Sequence, residues 1–342
     1  MVPREPVDVV ALGESMVTFL PSRPGRLADV PSFDRAIGGA ESNVACVLAA
    51  AGHSARWVSR VGADGFGQHL VERIAGYGVD VRAVRRDPVR PTGIYFRTAG
   101  DRGTGAHEVA YYRTGSAASA MSVGNVDLAA IRAGRVLHLS GITAALSPEC
   151  RELTDALTAP RAGRPLLSFD VNHRPGLWRT DAGPLVLLDL ARRADIVFVG
   201  EDEAEQAWGI EGGPEAVREA LPEPEVLVVK QGARGATAFA GRRPPVLEPA
   251  LHVDVVATTG AGDAFAAGFL SATLRGLPLS VRLRHGHLFA AAALTAPGDL
   301  APPPARDHAD RLSGLDSAAW GRLRLGPGWT QADAAEQEAN TP

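Results

Sequence analysis

The chain has 342 residues, of which 45% are hydrophobic and 22% are charged, and its formal net charge is −4. This composition is typical of an ordinary globular protein with a large core. The near balance of charge argues against a nucleic-acid surface or a polybasic membrane patch. We therefore expect small-molecule partners, with no nucleic acid and no membrane among them.

The cysteines and the beginning of the chain favour a cytoplasmic protein. Cys46 and Cys150 lie in apolar or helical segments without CxxC spacing, which disfavours a disulfide framework or a zinc site. The first residues carry no hydrophobic signal region, and the longest apolar stretches are far shorter than the roughly 20 residues that a membrane span needs. We expect the protein to stay in a reducing cytoplasm.

Strands and helices alternate along most of the chain. Val7–Leu12 is an almost continuous apolar run that predicts a buried strand, and Ala40–Ala51 predicts a helix that stops before Gly52. This alternation predicts a doubly wound α/β sheet, mostly parallel, with helices on both faces and ligands at the carboxyl ends of the strands. The other predicted elements are strand Ala55–Val61, helix Phe66–Ala75, strand Arg135–Leu139, helix Pro148–Thr158, strand Leu166–Asp170, strand Ile196–Val199, helix Glu201–Trp208, strand Val226–Val229, helix Ala264–Leu274 and helix Leu288–Thr295.

Two stretches interrupt this rhythm. Residues 16–37 and 92–114 lack helical periodicity, and the second contains strand-like Gly93–Arg97 and Val109–Arg113 joined by a glycine-rich turn. They predict a small β-layer that stands off the main sheet as a lid, although ordinary surface hairpins would have the same pattern.

The end of the chain has a different composition. After Pro302 the sequence is rich in Pro, Ala, Asp and Gly and has a weak core pattern. We expect one main domain over residues 1–310 and a tail over residues 311–342, with the last dozen residues disordered.

The run TTGAGDAFAAGF at residues 258–269 is the most informative segment. Small residues and glycines after strand-like Val253–Val256 predict a tight turn, and the following helix would direct unpaired N–H groups and its positive end at a ligand. Gly260 and Gly262 would let backbone approach phosphate oxygens, so the segment predicts an anion hole. Asp263, in the first turn, could accept the proton of a substrate hydroxyl. The alternative is a tight turn with Asp263 as its cap.

This run resembles the carboxy-terminal signature of the PfkB (ribokinase-like) carbohydrate kinases. The amino-terminal signature is similar too, as GGAESN at residues 38–43 and RVGADGFG at residues 60–67. The resemblance extends over residues 7–300. It implies a ribokinase-like fold with a small β-lid, and ATP- and Mg²⁺-dependent phosphorylation of a sugar hydroxyl.

The resemblance also implies roles for individual residues. Near His287 it indicates the adenine region, although the pattern there suits a packing histidine as well. The implied residues are Gly38, Gly39 and Asn43 for the sugar, Gly260, Ala261 and Gly262 for the anion hole, Asp263 as catalytic base, and Lys230, Gly232, Gly235, His287 and Gly298 for ATP.

Two arginines bear on the substrate. If both segments are extended, Tyr111 faces the same way as Arg113, and Asp170 and Asn172 face the same way as Arg174. Two guanidinium groups suit a carboxylate, because each can donate a forked pair of hydrogen bonds. The same segments resemble the branch called 2-keto-3-deoxygluconate kinases, which implies that Tyr111, Arg113 and Arg174 meet an acid sugar. Arg113 could instead be a solvated strand residue, and Arg174 could form an ion pair or contact the phosphate.

Metal binding is expected to be indirect. Asp170 and Asn172 could organise Mg²⁺ through water, although Asp170 could also cap a turn. Glu203 matches the acid of the family's N-x-x-E motif, but Gly200 stands where relatives have asparagine. Ala257 stands where many relatives carry an aspartate that helps hold a monovalent cation, so potassium activation is in doubt.

These observations lead to one function and two alternatives. We expect phosphorylation of a primary hydroxyl of 2-keto-3-deoxygluconate to its 6-phosphate. A neutral-sugar kinase of the fructose or ribose type is the first alternative, and a non-catalytic sugar or nucleotide sensor is the second. The projecting β-lid suggests a homodimer.

Overall fold

The computed structural model describes residues 6–23, 25–98, 108–178 and 182–331. Within these ranges the strands are β1 (Val7–Leu12), β2 (Met16–Pro21), β3 (Phe33–Gly38), β4 (Ala55–Val58), β5 (Arg60–Gly62), β6 (Arg85–Asp87), β7 (Ile94–Arg97), β8 (Val109–Tyr112), β9 (Gly134–Ser140), β10 (Leu166–Asp170), β11 (Ile196–Gly200), β12 (Val226–Lys230), β13 (Ala236–Ala240), β14 (Val246–Glu248), β15 (His252–Val253) and β16 (Arg324–Leu325). The α-helices are α1 (Ala40–Ala50), α2 (Gly65–Gly76), α3 (Leu128–Arg132), α4 (Gly141–Ala145), α5 (Pro148–Thr158), α6 (Gly183–Arg192), α7 (Glu201–Trp208), α8 (Gly213–Ala220), α9 (Ala261–Leu274), α10 (Leu279–Leu294), α11 (Arg306–Ser313) and α12 (Ser317–Arg322).

The central sheet has the strand order β14-β13-β12-β11-β10-β9-β1-β4. The pairs from β4 through β12 are parallel, and β13 and β14 add an antiparallel edge. Side chains alternate between the two faces: Val9 packs in the core with α1, α9 and α10, and Val10 packs in the core with α5 and α6. The predicted doubly wound α/β fold is confirmed.

Local signals explain why several helices begin and end where they do. Asp64 caps α2 by accepting a hydrogen bond from the Gly67 N–H, and Ser147 caps α5 by accepting one from Cys150 N–H. Pro148 follows Ser147 as the first residue of α5, where its missing N–H costs nothing. These caps fix α5 at the bounds that the sequence predicts.

A second sheet of four strands stands apart from the central one, in the order β3-β2-β7-β8. Its strands come from the two stretches that break the helical rhythm, so the predicted β-lid is present. Phe19 stacks on Phe96 at 4.6 Å between ring centroids, and Phe33 meets Phe96 edge-on at 5.2 Å, which ties three of the strands together. The predicted glycine-rich turn before β8 lies outside the described residues.

Four predicted elements differ from the structure, among them α9, which begins at Ala261 and not at the expected Ala264. The single strand expected over Ala55–Val61 is two strands, β4 in the central sheet and β5 paired with β6. Helix α10 begins at Leu279, well before the expected Leu288. The strand expected over Val253–Val256 ends at Val253, and the exposed Val255 and Val256 lie in a loop held by hydrogen bonds to the Leu294 carbonyl.

The segment after residue 310 packs onto the main domain. The proposed boundary falls inside α11, and Trp320 and Trp329 are buried in the same core as α9 and α10. The Trp320 indole N–H donates to the Pro249 carbonyl at 3.0 Å. Burial of large indole rings explains why this stretch is ordered despite its weak pattern. Residues 332–342, for which we expect disorder, lie outside the described part of the chain.

No helix in the described residues is long and apolar enough to cross a membrane.

Candidate active site

The turn before α9 has the geometry of an anion site. Gly260 has φ 80°, and a Cβ there would lie 2.1 Å from the Asp299 carbonyl oxygen, so both conformation and space require glycine. At Gly262 the atom nearest to an added Cβ is the Lys230 Nζ, at 3.7 Å. The amino end of α9 therefore opens toward an ammonium group, and N–H groups, helix dipole and lysine all favour an anion.

Asp263 lies in the first turn of α9 and its carboxylate is held by one neighbour. The Asn43 Nδ2 donates to Oδ2 at 2.8 Å. Desolvation raises the pKa of Asp263 to about 7, and Asp170 and Asp299 add to the rise, while Asn43 and Lys230 oppose it. Although it lies deep in the protein, the side chain keeps some exposure. The raised pKa of this partly exposed residue suits a group that accepts a proton near neutral pH.

Lys230 ends β12 and bonds the carboxylate at the end of β10. Its Nζ lies 3.2 and 3.3 Å from the two oxygens of Asp170. Burial acts to lower the pKa of Lys230, but the negative charges of Asp170, Glu203 and Asp263 outweigh it and raise that pKa. The lysine therefore stays charged beside the anion site.

The glycine pair before α1 lets other site residues come close. A Cβ at Gly38 would lie 2.3 Å from the Tyr95 hydroxyl and 2.4 Å from an Asp299 carboxylate oxygen. A Cβ at Gly39 would lie 2.4 Å from the Glu14 carbonyl oxygen. A larger residue at Gly38 would collide with Tyr95 of the lid, and one at Gly39 would collide with the backbone between β1 and β2.

Asn43 is the third residue predicted to bind sugar, and it lies in α1 beside Asp263. Its Oδ1 is buried and has no hydrogen-bond partner within the described ranges. A buried carbonyl oxygen without a donor is unfavourable. A sugar hydroxyl would satisfy it.

Three residues that the sequence did not single out, Tyr95, Arg97 and Asp299, join the lid to the anion turn. Tyr95 donates to Asp299 Oδ2 at 2.5 Å, and Arg97 Nη2 lies 2.8 Å from Asp299 Oδ1. Arg97 Nη1 donates to Thr259 Oγ1 at 2.9 Å, directly before Gly260. Burial raises the pKa of Asp299, and the Arg97 charge opposes that rise. Alternation in a strand places Tyr95 and Arg97 on one face, but their partners are about 200 residues away, so no local pattern reveals the contact.

Arg113 and Tyr111 share one side of the lid, as predicted, but Arg113 already has a partner. Its guanidinium carbon lies 5.8 Å from the centre of the Tyr111 ring, and that ring lies 5.5 Å from the Tyr95 ring. Arg113 Nε donates to Glu14 Oε2 at 2.8 Å, and Ser116 Oγ donates to Glu14 Oε1 at 2.5 Å. Glu14 was not predicted; its arginine partner lies 99 residues further along the chain.

The expectation that Asp170, Asn172 and Arg174 face one way by alternation is wrong. The strand ends at Asp170, and Asn172 has φ 40°, in the left-handed region, so the chain is not extended there. Arg174 is extended before Pro175, as expected, but it is 53% exposed and lies 3.9 Å from Glu203. Asn172 Oδ1 is buried with no hydrogen-bond partner in the described chain.

Glu203 has a structural contact of its own. Its Oε2 accepts a hydrogen bond from the Gly200 N–H at 2.6 Å and so caps α7. Its charge also acts on Lys230. The carboxylate therefore lies at the same edge of the sheet as Asp170, although Gly200 offers no side chain.

Three glycines predicted to bind ATP, Gly232, Gly235 and Gly298, have a positive φ and lie in turns. Gly232 and Gly235 form the tight turn after β12 with φ 58° and 132°, and a Cβ at Gly235 would lie 2.3 Å from the Glu248 carbonyl oxygen. Gly298, with φ 90°, lies in the turn before Asp299.

His287, which was also predicted to bind ATP, is almost fully buried. Its ring is buried, bonds the Glu248 carbonyl at 3.0 Å and packs against Phe265 and Trp320. Desolvation lowers its pKa to about 4. These contacts agree with the packing role that the sequence also allowed.

Comparisons with known proteins show to which family the chain belongs. Residues 7–306 match the pfkB family carbohydrate kinase profile. The chain is 35% identical to 2-dehydro-3-deoxygluconokinase of Bacillus subtilis, over 88% of this chain and 94% of that one. It is 34% identical to probable fructokinase-6 of Arabidopsis thaliana, over 82% of this chain and 75% of that one.

A solved structure extends the comparison. The chain is similar to a sugar kinase from Pyrococcus horikoshii in complex with ATP, with a TM-score of 0.76 and 25% identity, over 88% of this chain and 96% of that one. The chain belongs to the pfkB family and is a carbohydrate kinase.

Proposed function

We propose that this carbohydrate kinase transfers the terminal phosphoryl group of ATP to the primary hydroxyl of 2-keto-3-deoxygluconate, with Asp263 as the general base. The observation that carries the proposal is the pairing of Asp263 with an open helix amino end. A general base works best when its pKa lies near the working pH, and burial raises that of Asp263 to about 7. A hydroxyl held by Asn43 would lie within reach of this carboxylate.

The phosphate groups would lie between α9 and Lys230. Phosphoryl transfer passes through a loose transition state, so positioning and charge stabilisation do most of the work. The N–H groups of Gly260, Ala261 and Gly262 and the charged Lys230 supply both. The ATP complex of the Pyrococcus horikoshii relative supports ATP as the donor.

Magnesium fits the same edge of the sheet. Asp170 and Glu203 are the nearby carboxylates, and Asn172 Oδ1 is buried without a partner among the described residues. Since Asp170 bonds Lys230 and Glu203 caps α7, both would hold the ion through water, as Mg²⁺ often permits. When bound, Mg²⁺ neutralises phosphate charge. A monovalent cation is not part of the proposal, because Ala257 has no carboxylate.

An acid sugar is supported by the row of side chains on the lid. Tyr111 and Arg113 lie on the same side, above the buried Tyr95. Arg174 is a second guanidinium at the carboxyl edge of the sheet. The 2-dehydro-3-deoxygluconokinase relative supports the same substrate, over almost its whole length.

A neutral ketose is the second candidate, and one observation favours it. Glu14 neutralises Arg113, so the lid arginine is not a free cation. The fructokinase relative is nearly as similar as the acid-sugar kinase. We do not carry the sensor alternative further, since the chain is a kinase with Asp263 intact.

Assembly and location complete the proposal. Strand β8 is an outer edge of the lid sheet and exposes Val109, Tyr111 and Tyr112, which supports pairing with the lid of a second copy. A monomer mass by light scattering at assay concentration would contradict the dimer.

Cys46 and Cys150 are both free and buried, which suits a reducing cytoplasm.

The test is a substrate panel with the full chain and Mg-ATP. ADP release should be measured for 2-keto-3-deoxygluconate, fructose and ribose, and the phosphorylated carbon should be assigned by NMR. We expect kcat/KM for the acid to exceed that for either neutral sugar by about tenfold, since Arg174 can donate a forked pair of hydrogen bonds to the carboxylate while Glu14 cancels the charge of Arg113. Faster turnover of fructose or ribose would replace the proposal with the neutral-sugar alternative.

A further inference from the structure

Glu14 is a buried carboxylate at the sugar side of the site. It follows β1 at the carboxyl edge of the central sheet, and its side chain is 0% exposed. Burial of an ionised carboxylate is costly unless it is paired. Two neighbours pair it, Arg113 on one oxygen and Ser116 on the other.

The contact between Glu14 and Arg113 is one-sided. Arg113 Nε and Nη2 both approach the same oxygen, Oε2, at 2.8 and 2.5 Å. Arg113 Nη1 makes no hydrogen bond to any described residue, so it is available to a ligand. The arginine can therefore donate hydrogen bonds to a sugar while its charge is cancelled by Glu14.

Arg174 provides a contrast. The acid paired with it among the described residues, Glu203, is 3.9 Å away, and the arginine is half exposed. Such a pair is weak, because solvent screens it. Of the two arginines, Arg174 thus keeps more of its charge for a substrate.

We propose that Glu14 is a specificity-determining residue: by cancelling the charge of Arg113, it limits how strongly the site prefers an acid sugar over a neutral one. This inference rests on the proposed function. Two carboxylates on either side of one guanidinium repel each other, so an acid substrate binds less tightly than Arg113 alone would allow. A neutral sugar experiences no such repulsion and keeps the hydrogen bonds.

The decisive variant is Glu14→Gln, which keeps the shape and removes the charge. We expect the ratio of kcat/KM for 2-keto-3-deoxygluconate to that for fructose to rise by about tenfold over wild type, through a lower KM for the acid. Ser116→Ala is the matched control, because it removes the other hydrogen bond to Glu14 without changing charge. Its ratio should stay within about twofold of wild type.

A second variant keeps the test decisive if Glu14→Gln does not fold. The double substitution Glu14→Gln with Arg113→Gln leaves the pair neutral, as it is in wild type. We expect its acid-to-fructose ratio to stay within about threefold of wild type. A fall of more than about tenfold would mean that Arg113 acts as a free cation and would overturn the inference.

The outcomes separate this inference from the proposed function. If wild type prefers fructose to the acid, the proposed function fails before any variant is compared. If wild type prefers the acid and Glu14→Gln lowers kcat/KM equally for both sugars, Glu14 is merely structural and the inference fails alone. A raised ratio that disappears at high salt supports it, because screening weakens charge selection.

Discussion

The site has two ends that treat charge in opposite ways. The phosphoryl end is formed by Asn43, Asp170, Lys230 and Asp263. The lysine ammonium bonds the Asp170 carboxylate, whereas the Asp263 carboxylate is bonded by the Asn43 amide. Burial raises the pKa of Asp263 to about 7, because the Asn43 amide and the Lys230 charge offset only part of the desolvation.

At the sugar end, formed by Glu14, Tyr111, Arg113 and Arg174, the lid arginine is paired with a buried carboxylate. The charge of Arg113 is therefore cancelled, whereas the half-exposed Arg174 keeps more of its own. The phosphoryl end is therefore suited to accept a proton, and the sugar end is suited to discriminate between acid and neutral sugars. Substitutions at the phosphoryl end should change turnover, and substitutions at the sugar end should change which substrate is used.

The largest effect on turnover is expected for Asp263→Asn, which removes the general base at the phosphoryl end. A positioned general base contributes about 10²- to 10⁴-fold, so we expect kcat to fall about 10³-fold with KM for the sugar within about twofold of wild type. Steady-state kinetics with the preferred sugar of the panel measures both. Asp307→Asn, at an exposed carboxylate on α11, is the control and should keep wild-type turnover. Retained turnover in Asp263→Asn would remove the base from the proposal.

The same variant should be more stable than wild type at high pH. The folded pKa of Asp263, about 7, lies above its ordinary value of 3.8. The folded protein therefore holds a proton that the unfolded chain releases, and stability falls as pH rises from about 4 to about 7. Asn cannot ionise, so thermal unfolding should occur at a higher temperature in Asp263→Asn than in wild type at pH 8, and this advantage should shrink at pH 5.

The phosphoryl end was also the easier to predict from sequence. Its turn is local: Gly260, Gly262 and Asp263 lie within four residues, and the chemistry of the turn follows from that spacing. Helices and strands were equally predictable where a cap or an apolar run marks their bounds. Helix Pro148–Thr158 and strand Leu166–Asp170 have the same first and last residues in the structure as in the prediction.

The sugar end was harder because its contacts are not local. The Glu14–Arg113 pair joins residues 99 apart, and the Tyr95–Asp299 hydrogen bond joins residues 204 apart. The prediction that Asp170, Asn172 and Arg174 face the same way failed because Asn172 has a left-handed backbone conformation. A single residue in that conformation changes the direction of the chain. Side-chain direction just beyond a strand end depends on tertiary contacts that no periodicity encodes.

The next test concerns the link between the two ends, Arg97. In Arg97→Met the buried Asp299 carboxylate loses its cation, so we expect the free energy of unfolding to fall by about 3 kcal/mol. Thr259 loses a contact as well, so kcat should fall more than KM rises. Urea unfolding and steady-state kinetics measure the two effects. Adding Asp299→Asn should restore most of the stability, since no buried charge is then left unpaired, and a double variant as unstable as Arg97→Met would contradict the ion-pair explanation.

The smallest expected effect tests whether Asp263 is the group that accepts the proton. Because the base must be deprotonated, kcat/KM should fall as pH falls through about 7, the pKa of Asp263. Asn43 favours the charged carboxylate through its hydrogen bond, so Asn43→Ala should move the midpoint of this acid limb upward by about one pH unit, whatever it does to overall rate. Ser42→Ala, next to it in α1, removes a hydrogen bond to Ser15 and should leave the midpoint in place. An unmoved midpoint in Asn43→Ala would mean that another group carries the proton, since loss of the only amide donor on Asp263 among the described residues cannot leave its proton affinity unchanged.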